Sequence, residues 1–205
     1  MARYFSADFH FSHKNIIKYE PEARGHFRDV HEMNSAIINN INSICTPDDE
    51  LYFLGDFAFA SLNQYRRLIK SINPQIHFIN GNHDPSFVGK TQSKRQKAYD
   101  AMLEAGVVSI QDSATLMIGD HEVNLSHFPY RNSTDGDSGH VDRFEEYRLE
   151  DDGNWLICGH IHGKWRVNNR MINVGVDVWN LMPVFEGTIL EVIGSHNDRT
   201  RTMVG

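Results

Sequence analysis

Residues 76–84 read Ile76-His77-Phe78-Ile79-Asn80-Gly81-Asn82-His83-Asp84. An apolar run that reads as a strand ends in a turn carrying an amide, an imidazole and a carboxylate in succession. Four other places have the same form. Tyr4-Phe5 leads to Asp8-Phe9-His10, and Leu51–Leu54 leads to Gly55-Asp56. Val123–Leu125 leads to Ser126-His127, and Trp155–Cys158 leads to Gly159-His160-Ile161-His162. In open α/β sheets, ligands gather at the carboxyl ends of the strands. If these strands are neighbours, the five turns converge on one spot.

The rest of the chain supplies a frame for them. Apolar residues at Met33, Ile37, Ile41 and Ile44 mark one face of a helix over 31–45. A second helix is expected over 62–72, opened by a capping box of Ser61 and Gln64. A third runs from Ser93 to Ala105 and stops at Gly106. Further strands are expected at 107–110, 114–118, 122–126, 165–167, 171–178 and 188–193. Gly119-Asp120 and Asn168-Asn169 turn two hairpins. The polar stretch Arg131–Gly153 reads as a loop with one short helix near Phe144, and the tail after Gly194 as frayed. Helices separate strands in the first half, and strands follow strands in the second. This pattern gives an α/β fold, a two-sheet β-sandwich flanked by helices, with residues 1–205 as one domain.

The 205 residues carry a formal net charge of −7, which argues against strong non-specific nucleic-acid binding. No apolar run approaches a membrane span and the N-terminus does not read as a signal peptide, so a cytoplasmic protein is expected. Cys45 and Cys158 lack zinc-thiolate spacing and read as free buried thiols.

Carboxylates and imidazoles together suit divalent Mn, Fe, Ni or Zn. Two such ions about 3.5–4 Å apart can clamp a phosphoryl group, so the ligand set points to metal-assisted hydrolysis. A paired site needs a shared carboxylate. Asp56 is the best candidate, standing alone after its strand beside Gly55. Asp8 and His10 are two apart on a segment read as extended, which points both to one side, and His160 and His162 share that spacing.

In this order, Asp-x-His, Gly-Asp, Gly-Asn-His-Asp, His and Gly-His-x-His resemble the calcineurin-like metallophosphoesterase superfamily, over residues 8–162. Asp8–Asn15 and Asn173–Trp179 are similar to a small bacterial and phage subgroup of phosphoesterases. The resemblance implies two divalent metal ions, manganese first among them. One would be held by Asp8, His10, Asp56 and His162, the other by Asp56, Asn82, His127 and His160. It implies His83 as general acid, oriented by Asp84, and hydrolysis of a phosphodiester or phosphomonoester by metal-activated hydroxide. The expected substrate is small and nucleotide-like.

His13 and Arg131 are candidate substrate-binding residues, with Lys14, Arg24 and Lys164 as weaker ones that read first as solvated loop charges. Tyr130, Trp165 and Trp179 read as packing residues, with stacking on a base or sugar as the alternative. Asp177 either supports a ligand histidine or caps a turn. The rival functions are a non-catalytic metal- or protein-binding module on the same fold, and a protein phosphatase.

Overall fold

The computed structural model describes residues 1–131, 133 and 144–203. In chain order the elements are β1 (Arg3–Ser6), the single turns α1 (Ile16–Tyr19) and α2 (Pro21–Arg24), α3 (Val30–Ile44), β2 (Glu50–Leu54) and α4 (Leu62–Ile69). Then come β3 (Gln75–Ile79), α5 (Gln92–Ala105), β4 (Ser109–Gln111), β5 (Ser113–Ile118) and β6 (His121–Ser126). The chain closes with β7 (Trp155–Cys158), β8 (Val167–Asn168), β9 (Met171–Asn173), β10 (Val184–Phe185) and α6 (Glu186–Met203).

One sheet runs β10-β1-β2-β3-β4 and the other β5-β6-β7-β9-β8. The expected two-sheet α/β fold is the one observed. β1, β2, β3 and β4 are mutually parallel, with β10 antiparallel at the edge. In the second sheet β6, β7 and β9 are parallel. The strands that precede the five turns therefore end on a common edge within each sheet.

Side chains alternate along the first sheet as its pleat requires. Leu51, Phe53, Ile76 and Phe78 face the helices and pack with Met33, Ile37 and Ile41 of α3. Phe5, Leu54 and Ile79 face the other way, onto Val123, Leu125, Ile157 and Ile172 of the second sheet. Burying each of the three α3 residues stabilises by about 1.5–3 kcal/mol. That helix starts where Asp29 accepts from the amides of His31 and Glu32. The capping box of Ser61 and Gln64 is present at α4, and Gly106 at φ 109° ends α5. Cys45 and Cys158 are both buried. No described helix is long and apolar enough to cross a membrane.

Several local expectations are corrected. Residues 188–193 are not a strand but part of α6. Ile189 and Ile193, four apart, are both fully buried on one helical face, and helical spacing overrides the β-branched composition. The helix backbone continues through Met203. The strand expected over 171–178 stops at Asn173. Its side chain accepts from the Gly175 amide and donates to the carbonyls of His162 and Trp165, and a 3-10 turn, Val176–Val178, follows. Asn169, at φ 51°, makes the hairpin turn one residue later than expected. The short helix near Phe144 is a 3-10 turn, Glu145–Tyr147. The rest of the expected loop over 132 and 134–143 lies outside the described residues.

Away from the site, Asp49 anchors the start of β2. It accepts from the amides of Ala2 (2.6 Å) and Thr46 (2.9 Å) and from the Thr46 hydroxyl (2.8 Å). Those donors, led by the Thr46 amide, hold its carboxyl down at about 2. The ordinary value, near 3.9, applies to the unfolded chain. A depressed folded value means that the charge contributes stability above about pH 4, and that this is lost as pH falls through about 2. Asp49→Asn should therefore be less stable than wild type at pH 6, and the gap should close between pH 4 and pH 2. Urea unfolding at several pH values measures this; a gap independent of pH would exclude the charge as its source.

Candidate metal centre

The two sheets are stitched together at the site by main-chain bonds. Ala7 donates to the Val174 carbonyl, and Val176 donates back to Ala7, both at 3.1 Å. Beyond β1 and β2 the chain continues side by side, with Asp8 N to Gly55 O and His10 N to Asp56 O at 3.0 Å. Asp8 and His10 do not alternate along an extended strand, as expected from their spacing. They have φ of 59° and 49°, and Asp56, His160 and His162 have 61°, 73° and 48°. Five of the seven predicted ligands thus occupy the left-handed region, which costs a non-glycine residue about 1–3 kcal/mol. Strain of this kind, gathered at one spot, is typical of a functional site held by its surroundings. Gly55, at φ 87°, has no room for a side chain: a Cβ would lie 2.5 Å from the Gly81 amide and 2.6 Å from His127 Nδ1.

All seven predicted ligands line this edge. Asp8, His10 and His162 offer ligand atoms within 4.8 Å of one another, and so do Asp8, Asp56 and His127. Asp8 belongs to both groups. Asp56 Oδ2 also sits between the two sides, 3.6 Å from His10 Nε2 and 3.5 Å from His127 Nε2. His127 Nδ1 lies 2.7 Å from the Leu54 carbonyl, which requires the proton on Nδ1. Its bare Nε2 then faces Asn82 Oδ1 at 3.2 Å and Asp56 Oδ2. Three lone pairs aimed at each other suit a cation. His160 lies beyond, its ring 5.2 Å from that of His127, while its amide donates to both Asp8 oxygens. Both nitrogens of the buried His10 ring lack a hydrogen-bond partner among the described residues. Burial pushes the Asp8 and Asp56 carboxyls up and the His10 and His160 imidazoles far down. These donors and acceptors fit divalent metal ions.

His162 is held from behind. Its Nδ1 lies 2.8 Å from Asp177 Oδ2. Burial works against charge on this ring, but the Asp177 bond and the nearby Asp8 outweigh it and raise His162 to about 9. Asp177 thus supports a predicted ligand, one of its two expected roles. Its other partner is Arg24, a fully buried guanidinium that also donates to the Asp8 and Phe9 carbonyls. Arg24 is neither a solvated loop charge nor a phosphate binder, and nothing in its local sequence signals this role.

Asp84 does not orient His83. Its carboxylate accepts from the amides of Asp56, Phe57 and Gly81 and from the Tyr65 hydroxyl, all at 2.8–3.0 Å. It buckles the turn after β3 to the turn after β2. The His83 amide donates to Asp56 Oδ1, while its ring is half-exposed with Nε2 3.9 Å from Asp56 Oδ2. Burial, followed by neighbouring cationic groups, brings the imidazole down to about 4. His13 is not among the clustered ligand atoms; its ring stacks on Phe59. Arg131 is occupied by Glu150 and by Glu145. Tyr130 bonds through its hydroxyl to Asn124, Asp152 and the Asn154 carbonyl, and the Trp179 ring carries the Arg166 guanidinium at 4.2 Å. Trp165 packs on the outer cluster of the second sheet, so the packing reading holds for these aromatics.

Residues 24–182 match the calcineurin-like phosphoesterase superfamily domain, and the chain belongs to that family. It is 31% identical to the Gene 66 protein of Mycobacterium phage L5, over 86% of each chain. It is also 31% identical to MJ1445 of Methanocaldococcus jannaschii, over 93% of this chain and 90% of that one. The crystal structure of AQ665 from Aquifex aeolicus superposes with a TM-score of 0.66 at 26% identity, covering 93% of this chain and 98% of that one.

Proposed function

We propose that this chain, as one metallophosphoesterase domain, is a binuclear metal-dependent phosphoesterase of the cytoplasm. Its substrates are small phosphodiesters or phosphomonoesters, nucleotide-like in character. The observation that carries this is the set of opposed, buried acceptors: His127 Nε2 facing Asn82 and Asp56 oxygens, beside a buried His10 ring whose nitrogens have no hydrogen-bond partner among the described residues. Asp8, His10, Asp56 and His162 would hold one ion, and Asp56, Asn82, His127 and His160 the other, with manganese the first choice. When bound, such ions stabilise charge on phosphoryl oxygens and lower the pKa of water. The protein contributes fixed ligand directions, through the Leu54 carbonyl on His127 and Asp177 on His162. His83, half-exposed beside Asp56, would give a proton to a leaving oxygen.

Elemental analysis of protein saturated with Mn²⁺ should find about two ions per chain. Hydrolysis of an aryl phosphodiester should depend on them and be abolished by chelation. Asp56→Asn should weaken both sites. One ion at saturation overturns the binuclear reading, and chelator-resistant hydrolysis overturns metal dependence.

A further inference from the structure

Residues 90–97 hold Lys90, Lys94, Arg95 and Lys97 and no carboxylate, in a chain whose formal net charge is −7. They lead into the first turns of α5, beside a cavity of about 270 Å³. Lys90, Gln92, Arg95, Gln96 and Tyr99 line it. Each carries an N–H or O–H donor, and none is acidic. Arg95 is held in place. Its Nε donates to the Ser86 carbonyl at 3.0 Å and its Nη2 to Asp112 at 2.9 Å, and Asp112 also accepts from Asn80 at 2.8 Å. Asp112 offsets the Arg95 charge, but Nη1 donates to no described residue. Lys90 is exposed and has no carboxylate partner among the described residues. Its ammonium uses one of three donors, on the Asn82 carbonyl at 3.2 Å. That carbonyl belongs to a predicted metal ligand, so the cavity adjoins the metal centre. The Lys90 charge also acts on the Asp56 carboxyl and the His83 imidazole. Arg24 and Arg131, singled out from the sequence, are both taken by carboxylates; Lys90 is not.

We infer that this cavity is a subsite for a second phosphate group, bound by Lys90 with Arg95 and Gln92 beside it. Substrates suited to this chain then carry one phosphate at the metal centre and another several bonds away. This rests on the phosphoesterase reading above and adds to it a second anionic group that does not react. A lysine ammonium recognises phosphate as a point charge, so the subsite selects for charge at a distance and not for the group that spans it.

The test uses ligands with one phosphonate and with two, whose carbon–phosphorus bonds are not hydrolysed. Calorimetric binding of butylphosphonate and of bisphosphonates with butane, hexane and octane spacers is measured on the Mn²⁺-loaded full chain. Metal content is determined for wild type, Lys90→Met, Lys90→Arg and Gln92→Glu. The last puts a carboxylate into the cavity and leaves the Lys90 bond to Asn82 in place. In wild type, one spacer should let the bisphosphonate bind about tenfold more tightly than butylphosphonate, beyond the statistical gain from two identical ends. Lys90→Met and Gln92→Glu should remove most of that preference, and Lys90→Arg should keep much of it. Should Lys90→Met lose metal with its Asn82 bond, Gln92→Glu decides alone. No preference at any spacer length, or a preference unchanged in Gln92→Glu, would overturn the subsite and leave Lys90 as a surface charge. Inorganic phosphate is also titrated into protein saturated with butylphosphonate. A phosphate ion that binds there and is lost in Gln92→Glu, without any bisphosphonate preference, would make the cavity a site for the free ion and overturn its role toward substrate. These measurements read binding and stand apart from turnover. A wild type that prefers the bisphosphonate but hydrolyses no phosphoester sinks the enzymatic reading and keeps the subsite.

Discussion

Arg24→Met should lower the free energy of unfolding by about 3–5 kcal/mol, the usual cost of removing one partner of a buried ion pair. The side chains of Arg24 and Asp177 are both fully buried, joined by Nε to Oδ1 at 2.6 Å and Nη2 to Oδ2 at 2.9 Å. Burial alone would raise the Asp177 carboxyl; its bonds to His162 and Arg24 win and hold it below the ordinary value. Without the guanidinium, the buried Asp177 keeps His162 as its one charged partner among the described residues and loses two hydrogen bonds, and the Asp8 and Phe9 carbonyls lose their donors. The damage should reach the metal centre by two routes, because Asp177 fixes His162 and the Asp8 carbonyl belongs to a ligand residue. Mn²⁺ affinity should therefore fall along with stability. Arg24→Lys should recover little, since one ammonium cannot reproduce a planar fork aimed at several acceptors. Adding Asp177→Asn to Arg24→Met should cost less than the sum of the two single changes, because the first already exposes the second. Urea unfolding and calorimetric Mn²⁺ titration measure these effects. A loss under about 1 kcal/mol, the range of an exposed pair, would mean that the buried network does not hold the site.

The sequence disclosed where the ligands are and concealed how they are held. Each predicted ligand follows an apolar run, and strand ends are legible from such runs. The left-handed φ of Asp8, His10, Asp56, His160 and His162 is not legible, because no glycine marks these positions. Asp8 and His10 do come together, but on a left-handed backbone and not by alternation along an extended strand. Asp84 shows the opposite failure. The family resemblance implies that Asp84 orients His83, yet in the folded turn its carboxylate faces three amides and the Tyr65 hydroxyl. Arg24 was illegible because its partner Asp177 is 153 residues away and its own surroundings, Pro21–Gly25, read as polar loop. The helix over 188–193 was missed because β-branched residues masked a spacing of four between Ile189 and Ile193.

Reassigning Asp84 sharpens the expectation for His83. Among the described residues, the carboxylate paired with the ring is Asp56, at 3.9 Å from Nε2, beyond hydrogen-bond reach. A substrate phosphate beside the imidazole would supply the negative charge that favours its protonated form. As proton donor to the leaving oxygen, His83 matters most when that oxygen is strongly basic. His83→Asn should lose about 10²–10⁴-fold in rate on alkyl phosphoesters, and clearly less on nitrophenyl esters, whose leaving group departs without help. Metal content should stay near that of wild type, because the His83 amide, not its side chain, binds Asp56 Oδ1 and is retained in the variant. Asp84→Asn should behave differently. It weakens a buckle of four hydrogen bonds, so it should lower stability and metal affinity and reduce rates on both ester classes alike. Rates on the two esters, metal content and urea midpoints on both variants separate these roles. A loss in His83→Asn that is equal for both leaving groups and follows metal occupancy would remove it as the proton donor.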